Sequence, residues 1–315
     1  MGRIAGAAAL ASTLVLSACV DPMTTAQTAA PSQTPAAKPS APIVAPRSPA
    51  SAQAVRYYAD VQADLLRNEL LRTDGGGADT PFNARQLAEN FDAIALNDEY
   101  ADINGSFVAR TTPSHVHRWS APVRLTLEFG ASVPLDQRAE DRETLTSLAR
   151  QLATATRHPI TVAETGGNFH VLVLNEDERR GVGTHLRRLI PGLSEAAVRS
   201  VENMSRSTYC LVIASDPRDD GIYRRAVAVI RGEHPSLMRK SCFHEEIAQG
   251  LGLANDSPRA RPSIFNDDEE FALLTRHDEL LLRILYDPRL TPNMTPETAR
   301  PIAATIAAEL MGETI

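Results

Sequence analysis

Residues 244–256 read HEEIAQGLGLAND, and the fold turns on how this stretch is read. It has the form of a helix that ends at two glycines, Gly250 and Gly252. Glu245 and Gln249 stand four apart, so a helix sets both side chains over one point. Glu245 and Glu246 are neighbours and point about 100° apart, which makes it hard for both to face one ion. A zinc helix of the form H-E-x-x-H starting at His244 needs a second His at position 248, where Ala248 stands. Cys242 and His244 diverge on the same helix. His244 is therefore expected at the surface or behind the site, and not in Cys–His chemistry. The spacing predicts a central helix over about 238–251.

Outward from this helix, strands and helices alternate. Residues 123–129 set Val123, Leu125, Leu127 and Phe129 against Arg124, Thr126 and Glu128, the pattern of a half-buried strand. Residues 139–156 place Leu145, Leu148, Leu152 and Ala155 on one helical face. The stretches HPITVAE (158–164) and FHVLVLN (169–175) read as two more strands, the second buried on both faces. Helical material follows at 181–204. STYCLVIASD (207–216) and YRRAVAVIRG (223–232) read as strands joined by the turn-rich SDPRDDG, and a central place for the first, beside the second, would let a Cys210–Cys242 bond tie the sheet to the central helix. A further helix is expected at 275–286. Mixed α/β with one twisted sheet is the predicted class.

The chain has 315 residues, with 43% hydrophobic and 23% charged residues, which is globular composition. A formal charge of −7 gives no electrostatic footprint for nucleic acid. The first 18 residues have one cation, Arg3, and then an apolar Ala-rich stretch too short to span a membrane. They end in Leu16-Ser17-Ala18-Cys19, which resembles the lipobox of bacterial lipoproteins. That resemblance implies cleavage before Cys19, its acylation, and anchoring by several acyl chains. Val20 follows, so the retention signal of the inner membrane is not matched, and the outer membrane with a periplasmic face is expected. Residues 19–52, rich in Pro, Ala, Ser and Thr, read as a disordered tether, with the folded domain over 53–315. Its first helix is carried by Ala54, Tyr58, Val61 and Leu65, and TDGGGADTP (73–81) breaks it. Cys210 and Cys242 remain, an even pair in an oxidising compartment, and a disulfide between them is expected.

Aligned on Gly252, the opening stretch resembles the metzincin zinc-peptidase form H-E-x-x-H-x-x-G-x-x-H. In that form the Glu is the general base and the Gly turns the chain so that the third His returns to the metal. Here the ligand positions hold Glu245, Gln249 and Asn255. The base position holds Glu246, and Asp256 is the trailing acid. RPSIFNDDEE (261–270) occupies the place of the Met-turn, with Ile264 or Phe265 where Met would stand. LLTRHDELLLRILYDP (273–288) is similar to a matrixin segment through Asp278, Leu281, Leu285 and Tyr286. Trp119 before a strand resembles the opening of such a domain. Residues 85–310 also resemble a family of proteobacterial lipoproteins that carries a domain of unknown function. The fold implied is a zincin-like (metzincin-type) mixed sheet with a backing helix at 139–156, the central helix, and a C-terminal helical subdomain.

The donor chemistry argues against zinc. Gln249 and Asn255 offer neutral amides, and Zn²⁺ prefers imidazole, thiolate and carboxylate, so no metal and no cofactor are expected. The leading reading is a non-catalytic cleft (Glu245, Gln249, Gly252, Asn255 and Asp256) that binds an extended peptide or an envelope protein, or serves structure. In it, Gln249 and Asn255 bond each other or the backbone. A second reading is a divergent hydrolase with Glu246 as general base. A third is a structural lipoprotein with an inherited, functionless helix. NDDEE (266–270) lacks the spacing of a calcium loop and reads as a solvated acidic loop. His115 and His117, flanking a strand start, do not by themselves make a zinc site.

Overall fold

Strands and helices follow one another in the order read from the sequence, with additions at both ends. The structure, a computed structural model, describes residues 44–103, 106–266 and 268–313. Helix α1 (Pro49–Arg67) leads to α2 (Ala84–Ala95) and to an antiparallel hairpin of β1 (Asn97–Ile103) and β2 (Ser106–Pro113). Then come β3 (Arg118–Trp119), β4 (Val123–Phe129), α3 (Leu135–Thr156), β5 (Ile160–Val162) and β6 (Phe169–Leu174). Three short helices follow, α4 (Glu176–Arg180), α5 (Gly183–Leu189) and α6 (Glu195–Glu202). After β7 (Cys210–Ser215), β8 (Ile222–Tyr223) and β9 (Arg225–Arg231), the chain ends in α7 (Ser236–Gly250), α8 (Arg276–Leu285) and α9 (Pro296–Met311). The fold is mixed α/β.

The main sheet has the order β5-β4-β6-β9-β7. All its pairs are parallel except β7 with β9. Alternation in the inner strands divides the core in two. Phe169, Val171 and Val173 of β6, with Ala226, Ala228 and Ile230 of β9, join the larger core, which also takes in residues of α3, α7 and α8. Leu172, Leu174, Val227 and Val229 point the other way, against Leu186, Ile190, Val201 and Met204 from the α5–α6 region. Glu128 of β4 adds a polar link to that layer. It accepts from His170 Nδ1 at 2.8 Å and from His185 Nε2 of α5 at 2.7 Å. These bonds, His170 first, hold its carboxyl below the usual range against the cost of burial.

Two expectations are corrected. STYCLVIASD forms an edge strand, not a central one: among the described residues β7 pairs only with β9, and its residues are half-buried. An apolar run is shared by both kinds of strand, so composition did not separate them. The expected tether end at residue 52 also moves. Pro49 opens α1, Ser48 caps it by accepting from the Ser51 amide, and the Ser51 hydroxyl is buried, donating to Glu233 at 2.6 Å. The helical end is larger than expected, because α2 packs with α8 and α9. Among the described residues no helix is long and apolar enough to cross a membrane. Residues 1–43, with Cys19, lie outside the described residues.

Candidate functional site

Helix α7 carries the opening stretch onto the sheet, and its last turn shows why glycine stands there. A Cβ at Gly250 would lie 2.5 Å from Phe169 Cζ and 3.1 Å from Val212 Cγ2, so only glycine lets the helix rest this close on β6 and β7. Trp119 Nε1 donates to the Gly250 carbonyl at 2.8 Å, and the Tyr286 hydroxyl donates to that of Leu251 at 2.9 Å. These two bonds satisfy carbonyls left open at the helix end. Gly252 then turns the chain at φ +123°, with the His117 carbonyl 2.2 Å from where a Cβ would be.

Beyond the turn the site residues separate. Gln249, nearly buried, donates from Nε2 to Asp256 Oδ1 at 3.3 Å. Asn255 is buried and spends both Nδ2 hydrogens on backbone, the Ala93 carbonyl at 2.8 Å and the Asp256 carbonyl at 2.9 Å. Its own amide donates to the Ile94 carbonyl at 3.0 Å, and the Thr111 hydroxyl at the end of β2 reaches its Oδ1 at 3.5 Å. Asn255 therefore fastens the turn to the end of α2. Of the two expected alternatives, Asn255 takes the backbone, while Gln249 donates to the Asp256 side chain.

Glu245 and Glu246 are closer than helix geometry alone suggested. One carboxylate oxygen from each lies within 4.8 Å of the other and of Cys210 Sγ. Two neighbouring side chains can converge because a Glu has three rotatable bonds to bend with. Cys210 offers no thiolate ligand, since it is bonded to Cys242 with 5.9 Å between Cα atoms. That bond ties β7 to α7, the link expected from the sequence. Amides committed as donors, a disulfide sulfur and two adjacent carboxylates do not fit a zinc centre.

The flanks hold the site in place. Asp278 accepts from the Ser263 hydroxyl at 2.5 Å, the Ile264 amide at 3.2 Å and the Thr275 amide at 2.9 Å, so it clamps the loop after the turn to the start of α8. Ile264 and Phe265 are both buried. His244 stands behind the site: its Nδ1 accepts from the Leu274 amide at 3.1 Å, and burial pushes its pKa down to about 4. The acidic loop is ion-paired and not merely solvated, as Glu270 takes Arg261 at 2.6 Å and Arg72 at 3.0 Å. Asp267 in that loop lies outside the described residues. His115 is exposed, and His117 precedes β3 with its Nδ1 3.0 Å from the His115 carbonyl, so the two do not form a strand-borne pair.

A family model described as a protein of unknown function (DUF2927) matches residues 84–305. The chain belongs to this family. The DUF2927 span starts at the first residue of α2 and contains the whole candidate site, while α1 precedes it. No curated protein and no solved structure matches the chain.

Proposed function

We propose that this DUF2927 protein is a lipid-anchored envelope protein whose zincin-like domain binds and does not cleave. The observation that carries the reading is the use of the amides. Gln249 and Asn255, at two ligand positions of the metzincin form, donate their hydrogens to Asp256 and to the backbone. A parallel sheet with one antiparallel edge, a backing helix (α3), a central helix (α7) and a helical C-terminal part fit what that resemblance implies. Among the described residues no strand covers the outer edge of β7. That edge suits an extended peptide that adds a strand. Anchoring would come from Cys19 at the periplasmic face of the outer membrane.

One preparation tests this. The full-length protein, purified in detergent, should hold no stoichiometric zinc and should leave a peptide library uncut, with Glu246→Gln behaving as wild type. Stoichiometric zinc, or cleavage that Glu246→Gln abolishes, would overturn the reading in favour of a hydrolase. Cys19→Ser should leave the membrane fraction or remain uncut as precursor.

A further inference from the structure

Away from α7, a cleft of about 560 Å³ opens between α3, α8 and α9. Its rim is cationic. Arg150 comes from α3, and Arg276 and Arg283 lie on α8 seven apart, on one helical face. Some guanidinium groups elsewhere are matched by acids, as in Arg72 with Asp79, Arg224 with Asp220, Arg239 with Asp141 and Arg289 with Glu309, while others, such as Arg118 and Arg138, bond backbone carbonyls. Among the described residues none of the three rim arginines has such a partner. In a chain of net charge −7 this local excess of positive charge stands out. The one carboxylate in the lining, Glu279, is held by Gln151 Nε2 at 2.8 Å.

The cleft is also shaped before any ligand enters. Arg283 is fixed by bonds to the carbonyls of Ala155 and Thr154, the latter at 2.7 Å, at the C-terminal end of α3. Desolvation, then the nearby Arg157, lowers its pKa. Leu280 and Leu310 give the floor an apolar part.

We propose that this cleft binds a phosphate ester, with Arg150, Arg276 and Arg283 around the phosphate and the apolar arm of the ester over Leu280 and Leu310. Guanidinium groups match phosphate oxygens through paired, charge-assisted hydrogen bonds. The site is independent of the α7 cleft. Two sources share this chemistry, a phospholipid headgroup and a soluble phosphate ester.

The test uses full-length protein in a neutral detergent and titration calorimetry with three probes: inorganic phosphate, glycerol 1-phosphate, and micelles doped with phosphatidylglycerol. Binding is expected for at least one ester, weakening with salt. Arg150→Gln with Arg276→Gln should reduce its affinity by roughly tenfold or more, at an unchanged melting temperature, since both side chains are exposed. Arg85→Gln on α2 should leave it unchanged. Binding to doped micelles alone assigns a lipid headgroup, and binding to glycerol 1-phosphate as well assigns a soluble ester. Binding of neither ester, or equal binding by the double variant, overturns the proposal.

Discussion

Replacing Gly252 by Ala tests the turn on which the geometry of the site depends. At φ +123° a Cβ is strained whatever the space around it, and here it would also meet the His117 carbonyl at 2.2 Å and Leu285 Cδ2 at 2.9 Å. The leucine can rotate away, but the carbonyl cannot easily move. Its segment is pinned by Val116 N to Met294 O at 2.9 Å, Asn293 N to Val116 O at 2.9 Å and Arg118 N to Gly221 O at 3.0 Å. Backbone strain of this kind costs about 1–3 kcal/mol and overpacking about 1–3 kcal/mol. The sum, about 2–6 kcal/mol, is a large part of a usual stability of about 5–15 kcal/mol. At about 2–4 °C per kcal/mol for a domain of this class, the melting temperature should fall by about 4–24 °C. Calorimetry on Gly252→Ala and on Gly181→Ala measures it. At Gly181 a Cβ meets nothing closer than 3.8 Å, and φ is −106°. If Gly252→Ala melts within the error of wild type, the turn is not built as described. The placement of Asn255 against α2 then fails with it.

Two further outcomes follow from other residues. The Cys210–Cys242 bond closes a sequence separation of 32, for which loop entropy gives about 3–4 kcal/mol. Paired serine substitution should lower the urea-unfolding free energy by about that amount, and an unchanged value would mean that the bond is absent or offset. His234 is buried between Tyr58 and Tyr209, and its pKa is driven down to about 3 by desolvation, then by Arg231 and Arg239. A folded pKa below the unfolded value of about 6.5 means that the unfolded chain takes up the proton first as the pH falls. The stability contributed by this histidine is therefore full above about pH 6.5 and is lost toward pH 3, at about 1.4 kcal/mol per unit. Asp141 acts with the opposite sign: burial raises its pKa to about 6, so its contribution is lost as the pH rises through that value. Comparing His234→Phe with wild type isolates the histidine. Between pH 6 and 4 the variant should gain on wild type by about 1.4 kcal/mol per unit in urea titrations. A difference that stays constant across that range would contradict a neutral, buried His234.

Most of the sheet was legible because its inner strands carry a signal along their own length. In β4 apolar and polar residues alternate, and β6 and β9 are mostly apolar because both of their faces are covered, His170 in β6 and the terminal Arg225 and Arg231 of β9 being the exceptions. Helix α3 shows its buried leucines at helical spacing. Helix α2 is not among the elements expected from the sequence, although it has a capping box from Asn83 and Gln86 and buries Leu87, Phe91 and Ile94 on one face. Helix α9, with Pro301 inside an alanine-rich run, carries a weaker periodic signal. The turn at Gly252 was readable, because a positive φ leaves few other choices. The partner of Asn255 was not. It is a backbone carbonyl 162 residues away, and carbonyls carry no sequence signature.

Charge explains why the amides at 249 and 255 belong together under the proposed reading. In a metzincin the cation takes lone pairs from three imidazoles. Here Glu245, Glu246 and Asp256 stand close to the same turn, and the amides at 249 and 255 supply donors to it. Gln249 supplies one N–H to Asp256, and Asn255 supplies two, one to the Ala93 carbonyl in α2 and one to the Asp256 carbonyl. Imidazole at position 255 has one N–H in its neutral form and would leave one of those carbonyls unsatisfied, which costs about 1–3 kcal/mol when buried. The amides therefore hold the turn in a way that imidazoles could not without a metal. Under the proposed reading, loss of the zinc ligands and retention of the frame would be one change in physical terms.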